Sequence, residues 1–151
     1  WPYGWYTGRD SPNTKRLVIA QGGYEYDSDY YGDDLPFYLP VVMGDSTVSR
    51  QLIVPYALDT NDMKMWLAPG YLPSQWLEYA IGTLDQLHRE GGIQPRMMSL
   101  GLHLRIIGRP GRIGALDKFL KYAKQKPAVW FARRAEIARH FAAHVPPPKN
   151  R

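Results

Sequence analysis

Residues 96–113 read RMMSLGLHLRIIGRPGRI, and the change of rhythm inside this stretch decides the fold class. Met97–Leu104 is a short apolar run, which predicts a strand ending in His103. Arg109-Pro110-Gly111-Arg112 carries turn residues. The chain after them predicts a helix from about Ile113 to Gln125, with Leu116, Phe119, Leu120 and Ala123 on its apolar side. Strand, turn and helix in that order is the repeating unit of an α/β protein.

Working outward, the same alternation continues. Upstream, Ser74 is a good N-cap for a helix in which Leu77, Ala80, Ile81, Leu84 and His88 recur on one face. Gly91-Gly92 ends it. Leu52–Leu58 (LIVPYAL) predicts a buried strand, with Pro55 demoting it toward an edge or a bulge. Leu17–Ala20 and Tyr24–Tyr26 are β-prone around the turn signal Gly22-Gly23. Residues 27–50 are rich in Asp, Gly and Pro and predict no element, and a loop of that length tends to be functional. Downstream, Val129–Phe131 predicts a last strand and Ala132–Ala143 a last helix. The Pro-rich ending VPPPKNR, residues 145–151, reads as a frayed tail beyond a domain covering 1–144. About four strands and three helices are too few to close a (β/α) barrel. The chain opens on Trp1 inside an aromatic cluster, without a signal-peptide pattern, so it is expected to be a fragment or a processed product.

Composition narrows the function classes. The 151 residues are 44% hydrophobic and 22% charged, enough to bury a core, and no apolar run is long enough to span a bilayer. With no cysteine there is no disulfide scaffold, thiolate nucleophile or Cys-ligated zinc, and a reducing, cytoplasmic location is expected. The net charge of +5 hides an asymmetry: residues 1–100 carry 7 basic and 12 acidic side chains, whereas residues 101–151 carry 12 and 2. Lys118, Lys121 and Lys124 alternate with apolar residues and form the solvated face of a helix, so no nucleic-acid partner is expected.

Four clusters could carry chemistry. In GWYTGRDSPN, Arg9 sits between turn-forming segments and could clamp a carboxylate or simply be an exposed loop residue. In YDSDYYGDD, the carboxylates Asp27, Asp29, Asp33 and Asp34 repel one another, which a counter-cation, a metal or a solvated turn would relieve; the spacing is not that of an EF-hand. Asp59, Asn61 and Asp62 directly follow the LIVPYAL strand, where α/β proteins gather ligands, but they are also favoured turn formers. His103 stands at a strand-to-loop junction, either as a general acid or base or as a hydrogen-bonded core residue. His140 and His144 share a helical face, but Phe141 stands where a zinc protease has Glu and no third ligand is near, so no metal site is expected.

GWYTGRDSPNT, YDSDYYGDDLP, PYALDTNDM and RMMSLGLHLRIIGRPGRI occur in that order. Together they resemble the C-terminal half of the allantoinase-like branch of the polysaccharide deacetylases, the NodB-homology superfamily, and most of all its cofactor-independent allantoinases. The resemblance runs from Gly4 to about Phe141. It implies half of a distorted (β/α) barrel and hydrolysis of carbon–nitrogen bonds other than peptide bonds, on a cyclic amide or ureide such as allantoin, without a cofactor. It implies that Arg9 holds a catalytic carboxylate and that Asp27 or Asp29 orients Arg9. His103, in Leu100-Gly101-Leu102-His103, becomes the general acid. Trp5, Asp59, Asn61 and Asp62 are expected to contact the substrate, a small molecule or an N-acetylated sugar. The superfamily's first motif and its His-x-x-x-His metal motif do not precede Gly4, so the general base is expected outside these residues. A metal-dependent chitin or peptidoglycan deacetylase shares this half, and an inactive fragment is a further alternative. A homo-oligomer stays open.

Overall fold

The computed structural model describes residues 2–148; Trp1 and residues 149–151 of the expected tail lie outside the described residues. The elements run β1 (Gly4–Trp5), α1 (Thr14–Gln21), β2 (Tyr26–Asp27), β3 (Phe37–Val42), β4 (Val48–Ile53), a 3-10 turn (Asp62–Met65), α2 (Pro73–Glu90), α3 (Pro110–Ala123) and α4 (Arg134–His144). The chain is mixed α/β as expected, although the strand expected at Met97–Leu104 is absent. It divides into two compact units, residues 1–56 with 131–151 and residues 57–130.

The first unit is built on one sheet of order β1-β2-β4-β3. β1 runs parallel to β2, and β2 to β4, with Gly4 opposite Tyr26 and Asp27 opposite Ile53. β3 and β4 form an antiparallel hairpin from Phe37↔Ile53 to Val42↔Val48. Pro40 lies in β3, the edge strand, where its missing N–H costs no ladder bond. Val18, Leu52, Ile53, Val54 and Ala138 are its buried apolar residues. Because β1, β2 and β4 point the same way, the loops after Trp5, Asp27 and Ile53 emerge on one edge of the sheet. That is the edge where α/β sheets place ligands.

The second unit is helical. α2 and α3 bury Trp76, Ala80 and Leu84 against Ala115, Phe119 and Ala123, with Met65, Ile106 and Ile107 closing the core. α2 opens at Pro73, and the Gln75 side chain accepts the Leu72 N–H at 2.8 Å, so Gln75 rather than Ser74 stabilises its start. α3 also opens on a proline, Pro110, whose fixed φ suits a first helical residue and brings the start forward from Ile113.

Several sequence expectations need correction. Leu17–Ala20 is helical, within α1. The β-branched pair Val18-Ile19 suggested a strand, but burial of Val18 alone and the positive φ of +70° at Gly22 make this a short, capped helix. The expected Tyr24–Tyr26 strand is the two-residue β2, one step later. LIVPYAL is strand only to Ile53, so Pro55 falls beyond it. Residues 27–50, expected to be loop, hold β3 and the first half of β4. Met97–Leu104 and Val129–Phe131 are not strands, and neither joins the sheet. The last helix begins at Arg134, two residues later than expected, where the Glu136 carboxylate accepts the Arg133 N–H at 2.7 Å.

Candidate active site

In the second unit the chemistry centres on Asp62. Asn61 caps the 3-10 turn by accepting the Met63 N–H at 2.8 Å. Asp62 donates its own N–H to the Gly101 carbonyl at 2.9 Å, which pins the turn to the segment before His103. The Thr60 hydroxyl donates to the Ser99 carbonyl, and the Trp76 indole donates to the Thr60 carbonyl at 3.1 Å. These bonds hold residues 59–62 and 99–103 side by side.

The Asp62 carboxylate is fully buried and saturated. One oxygen lies 2.7 Å from His103 Nδ1; the other accepts the His103 N–H at 2.7 Å and the Ile107 N–H at 3.2 Å. A carboxylate oxygen at that distance requires a proton on Nδ1. Nε2 is then the ring nitrogen left to exchange a proton, and the half-buried imidazole is 30% exposed. The same carboxylate also fixes the turn after His103, in which the Ile106 and Ile107 N–H groups donate to the His103 carbonyl.

Asn61 and Asp62, expected to contact substrate, are both buried, with side chains bonded to Met63 and to the segment 103–107. Asp59 is exposed and accepts from the Tyr79 hydroxyl at 3.5 Å. The pairing of Asp62 with His103 was missed. The two are 41 residues apart, and the legible signal was only an acidic residue after a strand-like run and a His at a junction.

In the first unit the loops of the sheet's carboxyl edge gather around Asp27 and Asp29. Asp29 accepts the Thr7 N–H, the Thr7 hydroxyl and the Gly8 N–H, the last at 2.7 Å, so it shapes the turn that presents Arg9. Asp27 is fully buried; its Oδ1 accepts the Asp29 N–H at 2.6 Å and lies 3.7 Å from Lys15 Nζ, while its Oδ2 has no partner. Burial pushes the Asp27 carboxyl above the usual aspartate range, against the Asp29 N–H and Lys15, which favour its charged form. The expected ion pair between Arg9 and Asp27 or Asp29 is not formed among the described residues; Lys15 is the cation beside Asp27, and it also donates to the Asp29 carbonyl at 2.9 Å. Asp29 orients the backbone before Arg9 rather than its guanidinium.

Trp5 lies in β1, edge-on to Tyr24 at 5.4 Å, with its indole N–H buried and unpartnered. Tyr6 stacks on Tyr56 at 4.9 Å, and burial with the neighbouring Tyr31 hydroxyl pushes Tyr6 up to about 12. Arg134, at the start of α4, donates to the Ser28 hydroxyl and to the carbonyls of Val54 and Pro55, tying the loops after β2 and β4 together. Neither Lys15 nor Arg134 was singled out by sequence, because nothing in KRLV or ARRAE marks which cation is buried.

No group of three or more potential metal ligands is found among the described residues. No described helix is long and apolar enough to cross a membrane.

No family model matches the chain. A Schizosaccharomyces pombe protein provisionally named as a polysaccharide deacetylase is 39% identical over 158 residues, covering 96% of this chain and 49% of that protein. The crystal structure of a provisionally named polysaccharide deacetylase from Pseudomonas aeruginosa PAO1 superposes with a TM-score of 0.88 at 47% identity, over 96% of this chain and 48% of that one. The chain thus spans about half the length of these polysaccharide deacetylase-named proteins and is similar to them over nearly all of its own. The crystal structure of Puue allantoinase is equally similar, with a TM-score of 0.88 and 47% identity over 96% of this chain and 47% of that one. A further deacetylase-named structure from Mycobacterium smegmatis matches at 25% identity with a TM-score of 0.68, over 92% of this chain and 49% of that one. The α/β elements seen here are thus those of deacetylase-like neighbours.

Proposed function

We propose that this chain carries the proton-donating part of a hydrolase of non-peptide carbon–nitrogen bonds, with a cyclic ureide such as allantoin as substrate. The observation that carries the reading is the buried Asp62 carboxylate on His103 Nδ1, which leaves Nε2 as the nitrogen that takes up a proton and passes it on. In this reading a carboxylate takes a proton from water as its oxygen attacks the ureide carbonyl. His103 in its doubly protonated form gives the Nε2 proton to the departing nitrogen as the tetrahedral intermediate collapses, returning to the ring protonated at Nδ1 alone. Asp62 is a positioning residue, setting the ring's tautomer and orientation. The water-activating carboxylate comes from outside these 151 residues, since the relatives are about twice as long. Arg9, on the turn that Asp29 shapes, is the cation offered to it. Trp5 and Asp59 are offered as substrate contacts, and no metal or cofactor is invoked. A cytoplasmic location belongs to the same reading.

Allantoin is favoured by the likeness to Puue allantoinase, and an N-acetylated sugar is the second reading because the Pseudomonas and Schizosaccharomyces proteins are named as polysaccharide deacetylases. Both substrates would be assayed with the whole protein. His103→Gln is expected to lower kcat by roughly 10²–10⁴-fold with KM little changed. An unchanged kcat would remove His103 from the reaction. Turnover of an N-acetylated oligosaccharide and not of allantoin would select the second reading.

A further inference from the structure

The tight turn that follows His103 leads to a cationic concavity that the reaction above does not use. Leu104, Arg105, Gly108, Arg109, Arg112 and Trp66 line a concavity of about 460 Å³, within the size range of small-molecule sites. Three guanidinium-bearing residues border this one space, and no acidic residue lines it. Among the described residues, none of the three forms an ion pair. This is unlike Arg96, Arg133 and Arg139 elsewhere in the chain, each of which meets a carboxylate. Three neighbouring like charges repel, and a bound anion relieves that repulsion.

The wall is also held in place. Arg112 lies over the Trp66 ring, 5.8 Å from its centroid. Gly108 closes the turn so tightly that an added Cβ would meet the Leu104 carbonyl. The same turn is anchored from within by the Asp62 carboxylate on the Ile107 N–H. Arginines whose surroundings are fixed in this way lose less freedom on binding, and the planar guanidinium fork matches oxyanions in two-point contacts.

We propose that the concavity bordered by Arg105, Arg109 and Arg112 beside Trp66 is a binding site for a small oxyanion, a carboxylate or phosphoryl group. The site does not depend on the hydrolase reading, and its test does not read turnover. The protein would be titrated calorimetrically at low salt with inorganic phosphate and, separately, with malonate. Saturable binding of at least one of them at one site per chain is expected, and the tighter of the two identifies the oxyanion class. Arg105→Ala and Arg109→Ala should each weaken binding by roughly tenfold. Lys124→Ala, at the far end of α3, should leave it unchanged. Arg105 and Arg109 are exposed, and unchanged thermal melting of the variants checks that truncation leaves the fold intact. Absence of saturable binding up to roughly 10 mM of either anion would overturn the proposal. An equal loss in Lys124→Ala would do the same, because it would mark general charge attraction.

Discussion

Asp62 and Asp27 are both fully buried carboxylates, one in each compact unit, yet their surroundings differ in kind. Asp62 meets three donors, two backbone N–H groups and the His103 ring, and every donor belongs to the segment 103–107. Asp27 meets one N–H closely and a lysine at 3.7 Å, and keeps one oxygen without a partner. A buried charge with matched donors is a fastener, whereas one left half-matched lifts its own pKa and destabilises the fold around it. The difference separates a group that positions a reactive ring from a group whose charge the fold does not fully support. Such half-matched groups collect at functional sites.

Removing the fastener should have the larger effect. Asp62→Ala leaves three enclosed donors facing a void, and each unmatched donor costs about 1–3 kcal/mol, so a loss of about 3 kcal/mol or more is expected in urea unfolding. Asp62→Asn keeps one accepting oxygen and should fall between the two. A loss below about 1 kcal/mol for Asp62→Ala would put the two carboxylates on the same footing.

Asp27→Asn should act in the opposite direction. The raised carboxyl binds a proton more readily in the folded chain than in the unfolded one. Stability therefore falls as pH climbs from the ordinary aspartate value of 3.8 through the folded value, and that cost persists at neutral pH. The amide can accept the Asp29 N–H without carrying the charge. Melting curves should show Asp27→Asn above the parent at pH 7, with the gap closing toward pH 3. A lower melting temperature at pH 7 would show that Lys15 compensates the charge more fully than the geometry implies.

An exposed pair gives the smallest effect. Arg139 donates to both oxygens of Glu25 and holds that carboxyl below the usual glutamate range. A lowered carboxyl stabilises above its unfolded value and loses that contribution as pH falls through its folded value. Arg139→Ala should cost only about a degree of melting temperature at neutral pH, and less in acid.

The reach of the sequence follows the range of the interactions. The three long helices were legible because their apolar periodicity is local, and Gly91-Gly92 and Pro110 mark ends by backbone chemistry alone. The β3–β4 hairpin was not, since Pro40 and the Asp-rich approach hide an edge strand that needs only one paired side. Met97–Leu104 misled in the other direction: Met98 and Leu100 pack, half-buried, against the helical core while Leu102 and Leu104 are exposed, and a short apolar run cannot be told from a strand by periodicity. At the site, His103 stood out by position. The roles of Asp62, Lys15 and Arg134 depend on contacts made across 41, 12 and as many as 106 residues, beyond any local pattern.

The central claim is that Asp62 fixes the proton on His103 Nδ1 and leaves Nε2 to the chemistry. Nitrogen-15 NMR of the His103 ring reads this directly. For the ring in its uncharged form, the result expected is the proton on Nδ1 in the parent chain, shifting toward Nε2 in Asp62→Asn, where the amide's hydrogens can face the ring. A parent ring protonated at Nε2, or one whose tautomer ignores the Asp62 substitution, would contradict it.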